Sequence, residues 1–96
     1  MREYEIMFIV RPDIDETTVK NTVKALEKVL TDRKAKITLS KELGQKEFAY
    51  EINKFKSGFY FLYKIETSND EVVKEFTRVA GIDETVIRHL VLNLDK

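Results

Sequence analysis

Gly58-Phe59-Tyr60-Phe61-Leu62-Tyr63-Lys64-Ile65-Glu66-Thr67, followed directly by Ser68-Asn69-Asp70-Glu71, is the stretch on which the fold turns. The odd positions Phe59, Phe61, Tyr63 and Ile65 are all apolar, whereas Tyr60, Leu62, Lys64 and Glu66 are mixed. A period of two belongs to a strand, here with its odd face packed and its even face not. Before it, Lys54-Phe55-Lys56-Ser57-Gly58 has the composition of a hairpin turn. After it, Ser68 and Glu71 fit a capping box, in which hydroxyl and carboxylate satisfy backbone donors reciprocally at a helix start. Val72, Phe76, Val79 and Ala80 supply that helix's buried stripe, and Gly81 its C-terminal stop.

The remaining elements extend outward from this strand and helix. Ile37 to Asn53 reads as an extended segment, with Leu43-Gly44 marking a bulge or bend because glycine accepts backbone angles that other residues resist. Tyr4, Ile6, Phe8 and Val10 give a first strand that ends at Arg11-Pro12. Asp13 or Asp15 caps a helix whose apolar positions Val19, Val23, Leu26 and Leu30 carry it to about Arg33. Thr85 to Leu92 closes the chain as a β-branched and aliphatic strand. The order βαββαβ predicts one α+β domain over residues 1–96, a ferredoxin-like split βαβ arrangement. Right-handed crossovers then put both helices on one face of a four-stranded antiparallel sheet. The bare face carries Met7, Ile9, Tyr60 and Leu62 among charges, and exposed apolar groups there are expected to meet a partner.

Composition narrows the chemistry. The 96 residues include no cysteine and one histidine, His89. Thiolate sites, disulfides and two-imidazole centres are therefore excluded, and His89 reads as an ordinary strand residue. No metal, cofactor or small-molecule substrate is expected. An acylphosphatase-type enzyme of this fold needs a glycine-rich anion loop with an arginine after the first strand, but Arg11-Pro12-Asp13-Ile14-Asp15 is acidic and glycine-free. No apolar run is long enough for a membrane span and no signal sequence opens the chain, so a cytoplasmic, non-membrane, non-enzymatic protein is expected. The 17 basic and 17 acidic residues cancel, so bulk charge alone would not attract nucleic acid. Their distribution is uneven: Arg33, Lys34, Lys36, Lys41, Lys46, Lys54, Lys56 and Lys64 face only Glu42, Glu47 and Glu51 in the middle segment, and Glu66 to Glu84 is acidic.

Lys56-Ser57-Gly58-Phe59-Tyr60-Phe61-Leu62-Tyr63 approaches the third-strand signature of an RNA recognition motif, whose exposed aromatics stack on bases. Tyr60 stands where that signature has glycine or alanine, however, and parity assigns Phe59 and Phe61 to the buried face. A wider pattern is more specific. Met1-Arg2-Glu3-Tyr4-Glu5, Arg11-Pro12, Leu43-Gly44-Gln45-Lys46-Glu47-Phe48-Ala49-Tyr50-Glu51-Ile52-Asn53-Lys54, Gly58-Phe59-Tyr60 and Val86-Ile87-Arg88-His89-Leu90-Val91 together resemble the family of bacterial small-subunit ribosomal protein six, over essentially the whole chain. The resemblance implies a structural ribosomal protein without catalytic residues. It also implies binding to the central domain of 16S ribosomal RNA together with a basic partner, small-subunit ribosomal protein eighteen. Arg2, Lys46, Lys54 and Arg88 match positions where the family carries basic or hydrogen-bonding side chains near RNA, and each has the chemistry to pair with phosphate oxygens. The alternative for each is an ordinary solvated charge. Glu47 replaces a second basic residue found in many members. The competing function is a ferredoxin-like regulatory or RNA-recognition module outside the ribosome.

Overall fold

The computed structural model describes residues 2–52 and 54–94. Its elements are β1 (Arg2–Val10), α1 (Glu16–Asp32), β2 (Lys36–Ile52), β3 (Phe55–Thr67), α2 (Glu71–Ile82) and β4 (Val86–Asn93). The four strands form one antiparallel sheet in the order β2-β3-β1-β4. This is the split βαβ layout that the order of elements predicts.

Strand parity sets the core. In the β1–β3 ladder Ile6 opposes Tyr63 and Phe8 opposes Phe61, so the apolar sets of both strands share the face that α1 and α2 cover with Leu26, Leu30, Val72, Phe76 and Ala80. Phe8 lies at the centre. Its ring centroid is 5.2 Å from Phe61, 5.8 Å from Tyr63 and 6.1 Å from Phe76. The Tyr63 hydroxyl donates to Glu27 of α1 at 3.0 Å, and burial pushes its pKa up to about 12. With Phe61 buried and Phe59 packed against the core cluster, β3 has no exposed odd-position aromatics, and base stacking of the RNA-recognition type by these two rings is ruled out.

Several local expectations are corrected. Ser68 does not cap α2. The helix begins at Glu71, whose amide donates to Asn69 Oδ1 at 2.9 Å, while the Asn69 amide donates to Thr67 Oγ1 at 3.1 Å. Gly81 lies inside the helix, which ends instead at Asp83, an extended residue whose carboxylate accepts from the Thr85 amide at 2.9 Å. At α1 the residue before the first turn is Asp15, but its carboxylate takes the Thr18 hydroxyl rather than a backbone amide. The β2–β3 turn is tighter than expected. Ile52 already pairs with Phe55, and Lys54 takes a left-handed φ of 71° between them; Asn53 lies outside the described residues. Phe55 carries Arg11 over its ring, the guanidinium carbon 5.0 Å from the centroid. The bulge at Gly44 is present, with φ +83° and a register shift between Glu42 and Gly44. Gly58 is required by close packing: a Cβ there would stand 2.5 Å from Ile9 Cγ2 and 3.1 Å from the Val10 carbonyl oxygen.

Candidate nucleic-acid and partner interface

The face away from the helices is defined by register. Met7 opposes Leu62 on one side and Leu90 on the other, Ile9 opposes Tyr60 and Arg88, and Glu5 opposes Lys64 and Leu92. On β2, Lys36 pairs with Glu66, Lys41 with Leu62 and Lys46 with Gly58, which places these lysines on the same face. Among the described residues that the register places there, Lys36, Lys41, Lys46, Lys64 and Arg88 share it with Glu3, Glu5 and Glu66. The zero net charge of the chain conceals a basic bare face.

Its centre is apolar. Met7 and Leu62 are half-buried, and Leu90 and Leu92 are each 46% exposed. Leu90 and Leu92 were not among the residues singled out from sequence, although alternation with Arg88 marks both. Ile9 is corrected: it lies on this face but is only 4% exposed. The ladder is interrupted between Glu47 and Ile52, and side chains from this end of the hairpin reach the bare face. Ile52 there shares a pocket with Met7, Ile9 and Tyr60. The Phe48 ring sits 6.0 Å from that of Tyr60. No sequence signal finds Phe48 and Ile52, because a bulge breaks the alternation that would assign them a face.

The four candidate RNA contacts do not converge. Lys46 Nζ stands 5.8 Å from the Tyr60 ring centroid, and Arg88 lines the pocket beside that ring. Lys54 is exposed at the hairpin tip. Arg2 is elsewhere: it pairs with Thr67 at the opposite end of β1 from Ile9 and Arg88, a rise of roughly 23 Å at about 3.3 Å per residue. Its guanidinium reaches the helix side, 2.5 Å from Asp70 at the start of α2. The Tyr4 hydroxyl donates to the same carboxylate at 2.9 Å. Arg11, Arg33 and Arg78 are likewise paired, with Asp13 or Glu75. Among the described residues, Arg88 is the one arginine without a carboxylate partner.

The Asp70 cluster makes a pH prediction. Hydrogen bonding from Tyr4 and then from Arg2 holds the Asp70 carboxyl below the usual carboxylate range. Its stabilising contribution is thus present above the unfolded-state pKa of about 3.9 and is lost as pH falls through the lower folded value. Denaturant midpoints of the wild type and Asp70→Asn should differ most near neutral pH and converge toward about pH 2. An equal gap at every pH would show that the carboxylate charge is not involved.

Among the described residues there is no helix long and apolar enough to cross a membrane and no cluster of three or more metal-ligating side chains. The family model described as ribosomal protein S6 matches residues 3–93. A relative named small ribosomal subunit protein bS6, from Shouchella clausii, is 46% identical over 91 residues, covering 95% of each chain. The solved structure of 30S ribosomal protein S6 from Thermotoga maritima superposes with a TM-score of 0.82 at 33% identity, over 96% of this chain and 86% of that one. The C-terminal domain of the MgtC protein from Mycobacterium tuberculosis matches with a TM-score of 0.63 at 8% identity, over 97% of this chain and 87% of that one, a likeness of fold alone. Matched along nearly its whole length in sequence and in fold, the chain belongs to the ribosomal protein S6 family, structural and non-enzymatic constituents of the small ribosomal subunit in the cytoplasm.

Proposed function

We propose that the chain binds the central domain of 16S ribosomal RNA jointly with small-subunit ribosomal protein eighteen, using the bare sheet face for both. The observation that carries this reading is the segregation of charge. A chain with no net charge sets Lys46 and Arg88, which have no carboxylate partner among the described residues, beside an aromatic ring on the face that no helix covers. Lys46 and Arg88 reach phosphate from that face, and Lys54 does so from the hairpin tip. Arg2 adds a contact at the far end of β1 with the guanidinium donors it does not give to Asp70. Met7 and Leu62, with Leu90 and Leu92, form the strip on which the partner lies, Ile9 supports it from below, and Tyr60 stands at its boundary with the cations. Few phosphates can be neutralised by so small a cation set, so a basic partner is needed to complete the RNA site.

Lys46→Ala and Arg88→Gln test the cation set directly. In the joint complex each lost phosphate contact should lower the slope of log affinity against log salt by roughly 0.7–0.9 units. Binding of the partner without RNA should be unaffected. Slopes identical to wild type in both variants would remove these residues from the RNA interface.

A further inference from the structure

We infer that the pocket between Tyr60 and Arg88 on the bare sheet face receives one unstacked nucleobase, with Arg88 and Lys46 engaging its phosphates. This rests on the RNA binding proposed above and adds a nucleotide site to it. The pocket has a volume of about 210 Å³ and is walled by Met7, Ile9, Ile52, Leu90 and the Tyr60 ring, with Arg88 in its lining. The ladder is interrupted between Glu47 and Ile52, and Ile52 lines the same pocket as Ile9. A surface recess of this kind suits a single flat ring rather than a helix groove, and protein recognition of RNA favours splayed-out bases stacked on aromatic side chains.

Charge decides between a base and a protein side chain. The neighbouring recess, lined by Glu5, Met7, Leu62, Leu90 and Leu92, holds no cation; apolar partner groups can meet its leucines, and Glu5 stands opposite Lys64 in the ladder. An apolar side chain placed against Arg88 would instead strip water from a guanidinium that has no carboxylate partner among the described residues, a desolvation with nothing to offset it. A nucleotide supplies both missing halves. Its base gives a π-face to the Tyr60 ring, and its phosphate gives the planar, bidentate acceptor that a guanidinium matches. Lys46, already over the same ring at 5.8 Å, adds a second cation for the adjoining phosphate. The bare face is thereby divided into a nucleotide pocket at the Arg88 end and a protein strip across Leu62, Leu90 and Leu92.

The test uses the full chain, the partner protein and a 16S central-domain RNA fragment. The complex is irradiated with short-wavelength ultraviolet light, and nucleotide adducts are located by mass spectrometry. An adduct on the peptide that contains Tyr60 is expected. In parallel, Tyr60→Leu should bind the RNA roughly 5- to 150-fold more weakly in the joint complex, the span of one lost base–aromatic stack. Tyr60→Phe should stay close to wild type. A complex that forms with adducts only elsewhere, or a Tyr60→Leu variant that binds as wild type, overturns the pocket and leaves the wider RNA reading standing. Weaker partner binding by Tyr60→Leu in the absence of RNA assigns the pocket to a protein side chain and likewise overturns it. Failure of the wild-type protein to form the joint complex overturns both readings together.

Discussion

Phe8→Ala is expected to destabilise the domain by about 3–5 kcal/mol, the range for emptying a packed aromatic site. Phe8 is 1% exposed and contacts Phe61, Tyr63 and Phe76. Its loss therefore opens a cavity between sheet and helices that the densely packed neighbours close only in part. Against a total stability of about 5–15 kcal/mol for a domain of ordinary stability, that is a large share. At roughly 4–8 °C per kcal/mol for a chain of this size, the thermal midpoint should fall by about 12 °C or more. Phe61→Ala and Leu26→Ala should cost about 2–5 kcal/mol each, because both residues lie in the same cluster. Tyr50, 85% exposed, is the control, and Tyr50→Ala should leave the midpoint nearly unchanged. Midpoints that barely move in the core variants would mean that the parity assigned to β1 and β3 is wrong.

The second large effect concerns the partner. Leu62→Asp combined with Leu90→Asp should weaken binding of small-subunit protein eighteen by more than about 30-fold, because two apolar contact side chains are lost and the carboxylates that replace them must be desolvated in the contact. Both positions lie on the face opposite the helices, so the fold should persist and the denaturant midpoint should shift far less than in Phe8→Ala. Titration of the partner without RNA reads the effect. Unchanged affinity with an intact fold would exclude the leucine strip as the partner surface.

Both predictions depend on features that differ in how readable they are from sequence. Periodicity located the core face of β1 and β3 because a buried face imposes a period of two on every residue along it. The bulge at Gly44 was readable because only glycine accepts its left-handed backbone at no cost. The capping box at Ser68 is not used, because a neighbour within its own window takes the amide that Ser68 would serve. Asp70 is engaged by Arg2 and Tyr4, residues remote in sequence, and the amide that a cap must satisfy went to Asn69 instead. The same pairing was invisible for Arg2, which sequence grouped with Lys46, Lys54 and Arg88. Register puts Arg2 at the far end of the sheet and turns its guanidinium toward α2. Ile9 was placed on the correct face, but its burial depends on Ile52 and Phe48 folding across it, and alternation cannot register across an interrupted ladder. Leu90 and Leu92 needed only the parity argument carried one strand further.

Joint recognition of RNA by the two proteins is read from affinity for a central-domain 16S fragment, measured at several salt concentrations with this protein alone, with the partner alone and with both. Weak, shallowly salt-dependent binding by this protein alone is expected, since its few cations release few counterions from the RNA. With both proteins present, each should raise the other's affinity through one shared coupling free energy, typically about 1–3 kcal/mol or 5- to 150-fold. Tight, steeply salt-dependent binding by this protein alone, or affinities in the mixture no greater than those of the separate proteins, would contradict the account.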